Sequence, residues 1–311
     1  MSFWQPTAKP AATSPLKTEP CTKQPLSTDH LIHFAAEEDY MKILQKELSH
    51  GGRLDIYALE HPSETMNTAP HPCVIVCPGG AYAIVSNREG EPAAKKFLAE
   101  DITACVLWYS VAPDARFPVQ LKQLFEAISY LRDHAEELKI DKNRIVVCGF
   151  SAGGHLAASA CTLWNKPEVL KLLPGFEPKN IRPDGGILCY PVISSVNHPH
   201  VPSFEYLLGE DYNTKKELVS LENAVDKDTP PAFIWHTADD SVVPVMNSIL
   251  YAQKLAEFNT PFELHIYPSG PHGLSCCDET SANKEVYPHC ISPDCAAWVP
   301  AAIKFVKNII K

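Results

Sequence analysis

The sequence predicts an α/β fold whose central sheet is mostly parallel and is covered by helices on both faces. Short, nearly continuous apolar runs recur along the chain, and such runs are typical of strands that are buried on both faces. Amphipathic segments with apolar residues three and four positions apart lie between these runs and predict helices. Because strand and helix alternate, the strands are expected to be joined by crossover helices, as in parallel sheets.

The predicted elements follow one another in a regular order. A strand with alternating apolar and polar residues is expected at 53–59, as at the outside of a sheet. Buried strands are predicted at 73–77, 104–108, 145–148, 186–190, 232–235 and 264–267. Helices are predicted at 91–100, 118–137, 151–163, 245–258 and 296–310. Two irregular stretches, 165–183 and 194–228, are expected to form cap segments over the carboxyl edge of the sheet, where open α/β sheets place their sites.

Length and composition indicate one globular domain over residues 31–311, preceded by an N-terminal arm. The chain has 311 residues, of which 45% are hydrophobic and 21% are charged, so it has enough apolar side chains for a large core. Residues 1–30 are rich in Pro, Thr, Ser and Lys, and this segment is expected to be an extended arm. An arm of this kind is a candidate for contacts within a homo-oligomer.

Charge and sequence signals limit the expected partners and location. The formal net charge is -10 and no basic run occurs, which argues against nucleic acid or an anionic membrane surface as a partner. The chain has no apolar run of about 18 residues and no signal-peptide pattern, so we expect a cytoplasmic protein. Its eleven cysteines are an odd number and are interpreted as reduced thiols.

The turn Gly149-Phe150-Ser151-Ala152-Gly153 lies between a predicted strand and a predicted helix. This is the context of a nucleophile elbow, G-x-S-x-G, in which the turn is so tight that the flanking positions must be glycine. The pattern predicts that Ser151 is a catalytic nucleophile and that the fold is the α/β-hydrolase fold. The alternative is a plain strand–helix turn whose small residues only permit close packing.

A serine hydroxyl requires a base to remove its proton, and the base requires an acid to orient it. On this fold the acid and then the histidine follow the serine, each just past a later strand. Asp240 and His272 occupy such positions in that order. Asp239 competes for the acid role, but the spacing to the next helix favours Asp240 and leaves Asp239 to cap the turn. His155 and His236 flank the site and are interpreted as structural.

An acyl-transfer site also requires donors for the developing oxyanion. A loop of small residues at 78–82 follows the first buried strand, where lipases and esterases place their oxyanion loop. The backbone N–H groups of Gly80, Ala81 and Ala152 are therefore predicted to form the oxyanion hole. This chemistry needs no cofactor and no metal ion, and none is expected.

With these residues assigned, the chain resembles the bacterial acetyl-esterase and acetylxylan-esterase-like branch of the α/β-hydrolase superfamily, a feruloyl-esterase-type group related to prolyl-oligopeptidase-type hydrolases. The matching segments are 77–82 (CPGGAY), 86–92 (SNREGEP), 149–155 (GFSAGGH), 190–193 (YPVI), 236–240 (HTADD) and 270–274 (GPHGL). The resemblance implies hydrolysis of acetyl or other small acyl esters, carried in this family by sugars or oligosaccharides. The substrate class comes from the resemblance, whereas the residues alone indicate ester chemistry.

The chain departs from this family at one position of the oxyanion loop, where Ala81 replaces a usual third glycine. Because the hole uses backbone donors, alanine is expected to serve if its φ is negative. Four side chains near the predicted site are candidates for contacts with a sugar. They are Tyr82, Arg88, Glu89 and Tyr190.

Other interpretations stay open on the residues alone. The same triad serves amides, so an amidase or peptidase is an alternative, as is a feruloyl esterase. A non-catalytic binding protein with this fold is disfavoured because all three triad members are present. The Cys-rich segment 276–295 raises a structural zinc site as an alternative, although it lacks paired C-x-x-C ligands.

Overall fold

Eight strands form one central sheet in the computed structural model, which describes residues 41–60 and 69–309. The strands are β1 (Met41–Glu47), β2 (Arg53–Leu59), β3 (His71–Cys77), β4 (Thr103–Trp108), β5 (Ile140–Phe150), β6 (Gly185–Cys189), β7 (Ala232–Thr237) and β8 (Phe262–Tyr267). Their order across the sheet is β1-β2-β4-β3-β5-β6-β7-β8. β2 is antiparallel to both neighbours, and all other pairs are parallel. The carboxyl ends of β3 to β8 therefore meet at one edge.

Helices connect the strands and cover the sheet. They are α1 (Glu91–Leu98), α2 (Val119–Asp133), α3 (Ala152–Leu163), α4 (Pro167–Leu170), α5 (Pro178–Ile181), α6 (Val201–Leu208), α7 (Tyr212–Lys215), α8 (Met246–Glu257), α9 (Pro293–Ala296) and α10 (Trp298–Asn308). Short 3-10 turns lie at Ser49–Gly51, Asn87–Glu89, Gly209–Asp211, Lys216–Val219, Leu221–Asn223 and Pro288–Cys290. The predicted α/β class, a mostly parallel sheet with helices on both faces, is confirmed.

The core lies in two layers because side chains alternate between the faces of each buried strand. Along β3, Ile75 packs into an apolar cluster that also contains side chains of α2, α3 and α8. Its neighbours Val74 and Val76 pack into the other cluster, together with side chains of α1 and α10. All residues of β3 are buried, which explains why this strand appears in the sequence as a continuous apolar run.

One of the two expected cap segments is placed wrongly by the sequence prediction. Residues 165–183 lead from the end of α3 back to the amino end of β6, where the N–H of Asp184 donates to the carbonyl of Ile145. The guanidinium of Arg132 in α2 contacts the Asp184 carboxylate at 3.0 Å and holds the segment there. It therefore lies at the opposite edge from the site. The segment 194–228 does lie at the carboxyl edge, since Phe204 in α6 packs edge-on against the ring of His155 in α3.

Three further features concern the N-terminal arm, membrane-spanning helices and the first strand. The predicted arm at 1–30, with the oligomer contacts expected of it, lies outside the described residues. In the part of the chain that the structure describes, no helix is both long enough and apolar enough to cross a membrane. β1 was not predicted, because most of its residues are exposed and show no buried pattern.

Candidate active site

Ser151 lies at the corner between β5 and α3, with the unusual backbone angles φ 54° and ψ -118°. The glycines on either side are required by close contacts between backbone atoms. A Cβ on Gly149 would lie 2.1 Å from the carbonyl oxygen of Gly153, and a Cβ on Gly153 would lie 2.1 Å from that of Cys77. Such strained backbone persists only where the surroundings hold it in place, and it is concentrated at functional sites.

A continuous hydrogen-bond chain joins the three residues predicted as catalytic. Nε2 of His272 lies 2.7 Å from Oγ of Ser151, and Nδ1 of His272 lies 2.7 Å from Oδ2 of Asp240. Because Nδ1 faces a carboxylate, it carries the ring proton and leaves Nε2 to accept from the serine hydroxyl. The order of the groups is that of a nucleophile, its base and the acid that orients the base.

The environment of Asp240 keeps its carboxylate ionised. Burial by itself raises the pKa of this carboxyl, but hydrogen bonds from His236 and His272 outweigh burial and hold the pKa below its usual range. The other oxygen, Oδ1, accepts the backbone N–H groups of Val242 and Val243, each at 2.9 Å. The charge that would stabilise a protonated His272 is therefore held in a defined position.

Asp239, the competitor for the acid role, is exposed and points elsewhere. Its carboxylate accepts the hydroxyl of Ser269 at 2.6 Å and the N–H of Gly270 at 2.8 Å. These bonds lower the pKa of Asp239 and join the turn after β7 to the loop that carries His272. Its position is that of a turn-stabilising residue.

The loop after β3 places backbone donors near Ser151. Within the described residues, the N–H groups of Gly80, Ala81 and Ala152 have no protein acceptor, which leaves them able to bind an oxyanion. The condition set for Ala81, a negative φ, is not met, since φ is 56° at Ala81 and 61° at Tyr82. The tight loop, in which Ala83 and Ile84 both donate to the carbonyl of Gly80, imposes this conformation.

The four side chains predicted to contact a sugar form hydrogen bonds with other residues of the protein. Tyr82, Glu89 and Tyr190 are at most 5% exposed, which corrects their interpretation as substrate contacts. The hydroxyl of Tyr82 pairs with Nδ1 of His155, and Glu89 accepts the hydroxyl of Tyr190. Arg88 is half-buried and donates through Nε to the carbonyl of Ser281 rather than standing free at the site.

Sequence reasoning missed His200, which precedes α6 and is half-buried beside the site. Burial lowers the pKa of His200, and the nearby His272 adds to this effect while Asp240 opposes it. Nδ1 of His200 pairs with the hydroxyl of Ser203 at 2.8 Å. Its position within the expected cap segment 194–228 was the one signal that pointed to it.

The cysteines of the segment 276–295 pack beneath the loop that carries His272. Four thiols are buried in the apolar cluster on the α10 side of the sheet, at Cys276, Cys277, Cys290 and Cys295. Sγ of Cys290 lies 3.8 Å from the carbonyl of Gly273, and Sγ of Cys295 lies 3.8 Å from that of Ser269. In the described ranges 41–60 and 69–309, no group of three or more His, Cys, Asp or Glu side chains is placed to hold a metal ion. The segment therefore supports the His272 loop from below.

Comparison with known sequences finds relatives that are named as a xylanase and as an acetylxylan esterase. Endo-1,4-beta-xylanase B of Butyrivibrio fibrisolvens is 36% identical over 75% of this chain and 36% of that protein. Acetylxylan esterase of Xylanibacter ruminicola is 32% identical over 65% of this chain and 40% of that protein. The chain thus spans less than half the length of these two relatives.

Solved structures with the same fold include ester hydrolases. The acetyl ester-xyloside bifunctional hydrolase of Caldicellulosiruptor lactoaceticus has a TM-score of 0.70 and 36% identity, covering 83% of this chain and 88% of that one. The carboxylesterase Cest-2923 of Lactobacillus plantarum has a TM-score of 0.77 and 26% identity, covering 87% of this chain and 99% of that one. The BD-FAE family model matches residues 54–255. The chain therefore belongs to the BD-FAE family and has the α/β-hydrolase fold.

Proposed function

We propose that this protein is a serine carboxylesterase that removes acetyl or other small acyl groups, with Ser151, His272 and Asp240 as its catalytic triad. The observation that carries the proposal is the hydrogen-bond chain from Ser151 through His272 to Asp240, with 2.7 Å at each step. The esterases among the family's relatives support ester bonds as the target. We further propose that the acyl group is carried by a carbohydrate, as the names of the acetylxylan esterase and the acetyl ester-xyloside hydrolase suggest.

The proposed mechanism proceeds through an acyl-enzyme. Oγ of Ser151 attacks the ester carbonyl while Nε2 of His272 takes its proton, and the Asp240 carboxylate stabilises the resulting imidazolium. The N–H groups of Gly80, Ala81 and Ala152 bind the negative oxygen of the tetrahedral intermediate. The alcohol leaves with the proton from His272. Water then attacks the acyl-enzyme by the same steps in reverse and releases the acid.

Two exposed apolar side chains border the proposed site and favour a small, partly apolar substrate group. Ile84 is 64% exposed and follows the loop of Gly80, to whose carbonyl its N–H is bonded. Val242 is 46% exposed, and its N–H binds Asp240. Exposed groups of this kind next to buried polar residues suit an acyl chain or the apolar face of a sugar ring.

The test is a hydrolysis panel with purified protein. We expect p-nitrophenyl acetate and acetylated xylo-oligosaccharides to be cleaved more efficiently than methyl ferulate, p-nitrophenyl octanoate or a peptide p-nitroanilide. Ser151→Ala should lower kcat by roughly a thousandfold or more, because the nucleophile is lost. Ser159→Ala is the matched control, since that hydroxyl lies in α3, the helix that follows Ser151, and donates to the carbonyl of His155. A preference for the anilide would make the protein an amidase, and an active Ser151→Ala would refute the triad.

A further inference from the structure

A second histidine contacts the proposed triad acid. His236 lies at the end of β7 and its side chain is fully buried. Its Nε2 lies 3.3 Å from Oδ2 of Asp240 and 3.0 Å from the carbonyl oxygen of Val243. On the other side of the ring, Nδ1 lies 2.8 Å from the hydroxyl of Ser248 in α8. The ring therefore bridges the turn that carries Asp240 and the helix that follows it.

These partners determine which ring nitrogen of His236 carries the proton. Nε2 faces two oxygens that can only accept, a carboxylate and a carbonyl. Nδ1 faces the hydroxyl of Ser248, which is able to donate. With its proton on Nε2, the neutral ring donates one bifurcated hydrogen bond, whose shorter branch goes to the carbonyl of Val243 and whose longer branch goes to Oδ2 of Asp240, while Nδ1 accepts from Ser248. The opposite tautomer would leave the buried Asp240 oxygen without this donor.

With His236 included, the Asp240 carboxylate accepts from four directions. Oδ1 accepts two backbone N–H groups of the same turn, and Oδ2 is shared between His272 and His236. An ionised carboxylate has about four acceptor positions, so those of Asp240 are filled. A carboxylate held in this way has little freedom to rotate away from His272.

Resting on the triad proposed above, we infer that His236 is a positioning residue for Asp240. Its Nε2–H shares Oδ2 with His272 and fixes the carboxylate in the plane that His272 needs, while Ser248 fixes the ring of His236. The line of contacts then runs from Ser248 through His236, Asp240 and His272 to Ser151. The contacts of His236 are with Val243, Ser248 and Asp240, so its effect on Ser151 passes through the turn that carries Asp240.

The other titratable groups near this line are few among the described residues. His200 faces Asp240 and His272 from the residue before α6, and Asp239 is the neighbour of Asp240 on the same turn. The ring of Tyr190 packs edge-on against that of His272, with 5.0 Å between the ring centroids. All three residues are unchanged by substitutions at position 236. If the pH profile of kcat/KM changes only when the donor of His236 is removed, the change is therefore assigned to the carboxylate of Asp240.

The experiment compares His236→Gln with His236→Asn. Glutamine places its amide N–H near the position of Nε2 and keeps the donor to Asp240, whereas asparagine reaches only the position of Nδ1 and loses it. We expect kcat of the Asn variant to fall by about tenfold to a hundredfold, because small misplacements of a catalytic group have effects of this size, with KM little changed. The acidic limb of its kcat/KM profile should move to higher pH, since an unshared carboxylate stabilises the His272 imidazolium more strongly. The Gln variant should stay within about threefold of the wild type with an unmoved limb.

Equal behaviour of the two variants, or an unmoved acidic limb in the Asn variant, would overturn the inference. A second measurement covers the case in which the Asn variant does not fold. In NMR spectra of ¹⁵N-histidine-labelled protein, the ring resonances of His236 are identified as those that the wild type shows and His236→Gln lacks. We expect these resonances to report the neutral Nε2–H tautomer. The Nδ1–H tautomer would also overturn the inference. An active Ser151→Ala would refute the proposed triad and this role with it. An inactive Ser151→Ala beside equal Gln and Asn variants would refute only the role of His236.

Discussion

The hydroxyl of Tyr190 donates a 2.6 Å hydrogen bond to Oε1 of Glu89, and this bond joins the two loops on either side of Ser151. Oε2 of Glu89 accepts the N–H of Gly79 at 2.9 Å, in the loop of the proposed oxyanion donors. The Tyr190 hydroxyl accepts the N–H of Ser275 at 2.8 Å, three residues after His272. Glu89 and Tyr190 thus set the separation between the oxyanion loop and the His272 loop.

Glu89→Gln should lower kcat by about tenfold with a smaller effect on KM, because the oxyanion donors are displaced from where charge develops. A glutamine amide has one acceptor oxygen, so either the N–H of Gly79 or the O–H of Tyr190 loses its acceptor. Steady-state kinetics on p-nitrophenyl acetate measure the effect. Glu91→Gln is the matched control, since Glu91 accepts a tyrosine hydroxyl, that of Tyr57, at an exposed site. Equal losses in both variants would contradict the positioning role.

Asp240→Asn should lower kcat by about four orders of magnitude, because an amide cannot hold the tautomer of His272 that accepts from Ser151. Asp239→Asn should cost at most a few fold, since its carboxylate binds only the turn that precedes His272. Esterase assays of the two variants, with circular dichroism to verify folding, make the comparison. The reverse ranking would make Asp239 the triad acid.

Ala81→Gly should raise the free energy of unfolding by up to about 1 kcal/mol. Alanine at φ 56° has a steric cost of about 1–2 kcal/mol, and glycine removes it at the expense of a more flexible unfolded chain. Urea denaturation monitored by fluorescence measures the difference. Ala83 lies in the same loop but does not have a positive φ, so Ala83→Gly should be destabilising instead. Destabilisation by Ala81→Gly as large as that by Ala83→Gly would show that the backbone at Ala81 carries no strain.

The protein should become less stable as the pH is lowered, because of His155. This residue lies beneath the oxyanion loop, and its ring is hydrogen-bonded to the hydroxyl of Tyr82 and to the carbonyl of Val219. Burial lowers the pKa of His155 from 6.5 to about 4, so the unfolded chain binds a proton that the folded protein does not. The contribution of His155 to the free energy of unfolding is complete above pH 6.5 and is lost as the pH falls toward 4. Between pH 8 and pH 5 this loss is about 2 kcal/mol. Urea denaturation at the two pH values should show this loss, and His155→Gln should reduce it. An equal loss in the His155→Gln variant would assign it to other groups.

The fold class and the order of the proposed triad residues follow from local patterns in the chain. A strand buried on both faces appears as an apolar run, and in a parallel sheet the residues after such runs meet at one edge. This is why Ser151, Asp240 and His272, far apart in sequence, were predicted together from their neighbours alone. The glycines around Ser151 were also predictable. A Cβ on Gly149 would clash with the backbone of Gly153, four residues away, and a Cβ on Gly153 would clash with the backbone of Cys77 on the adjoining strand.

Contacts between distant segments were decided only by the tertiary structure. Glu89 and Tyr190 are 101 positions apart, and their polar side chains looked like substrate contacts until packing buried them against each other. The φ of Ala81 is set by the closure of its loop, and the partners of His236 are set by how α8 packs on β7. A residue's own pattern reports its burial and local geometry, whereas the partner that satisfies a buried polar atom depends on which distant elements pack together.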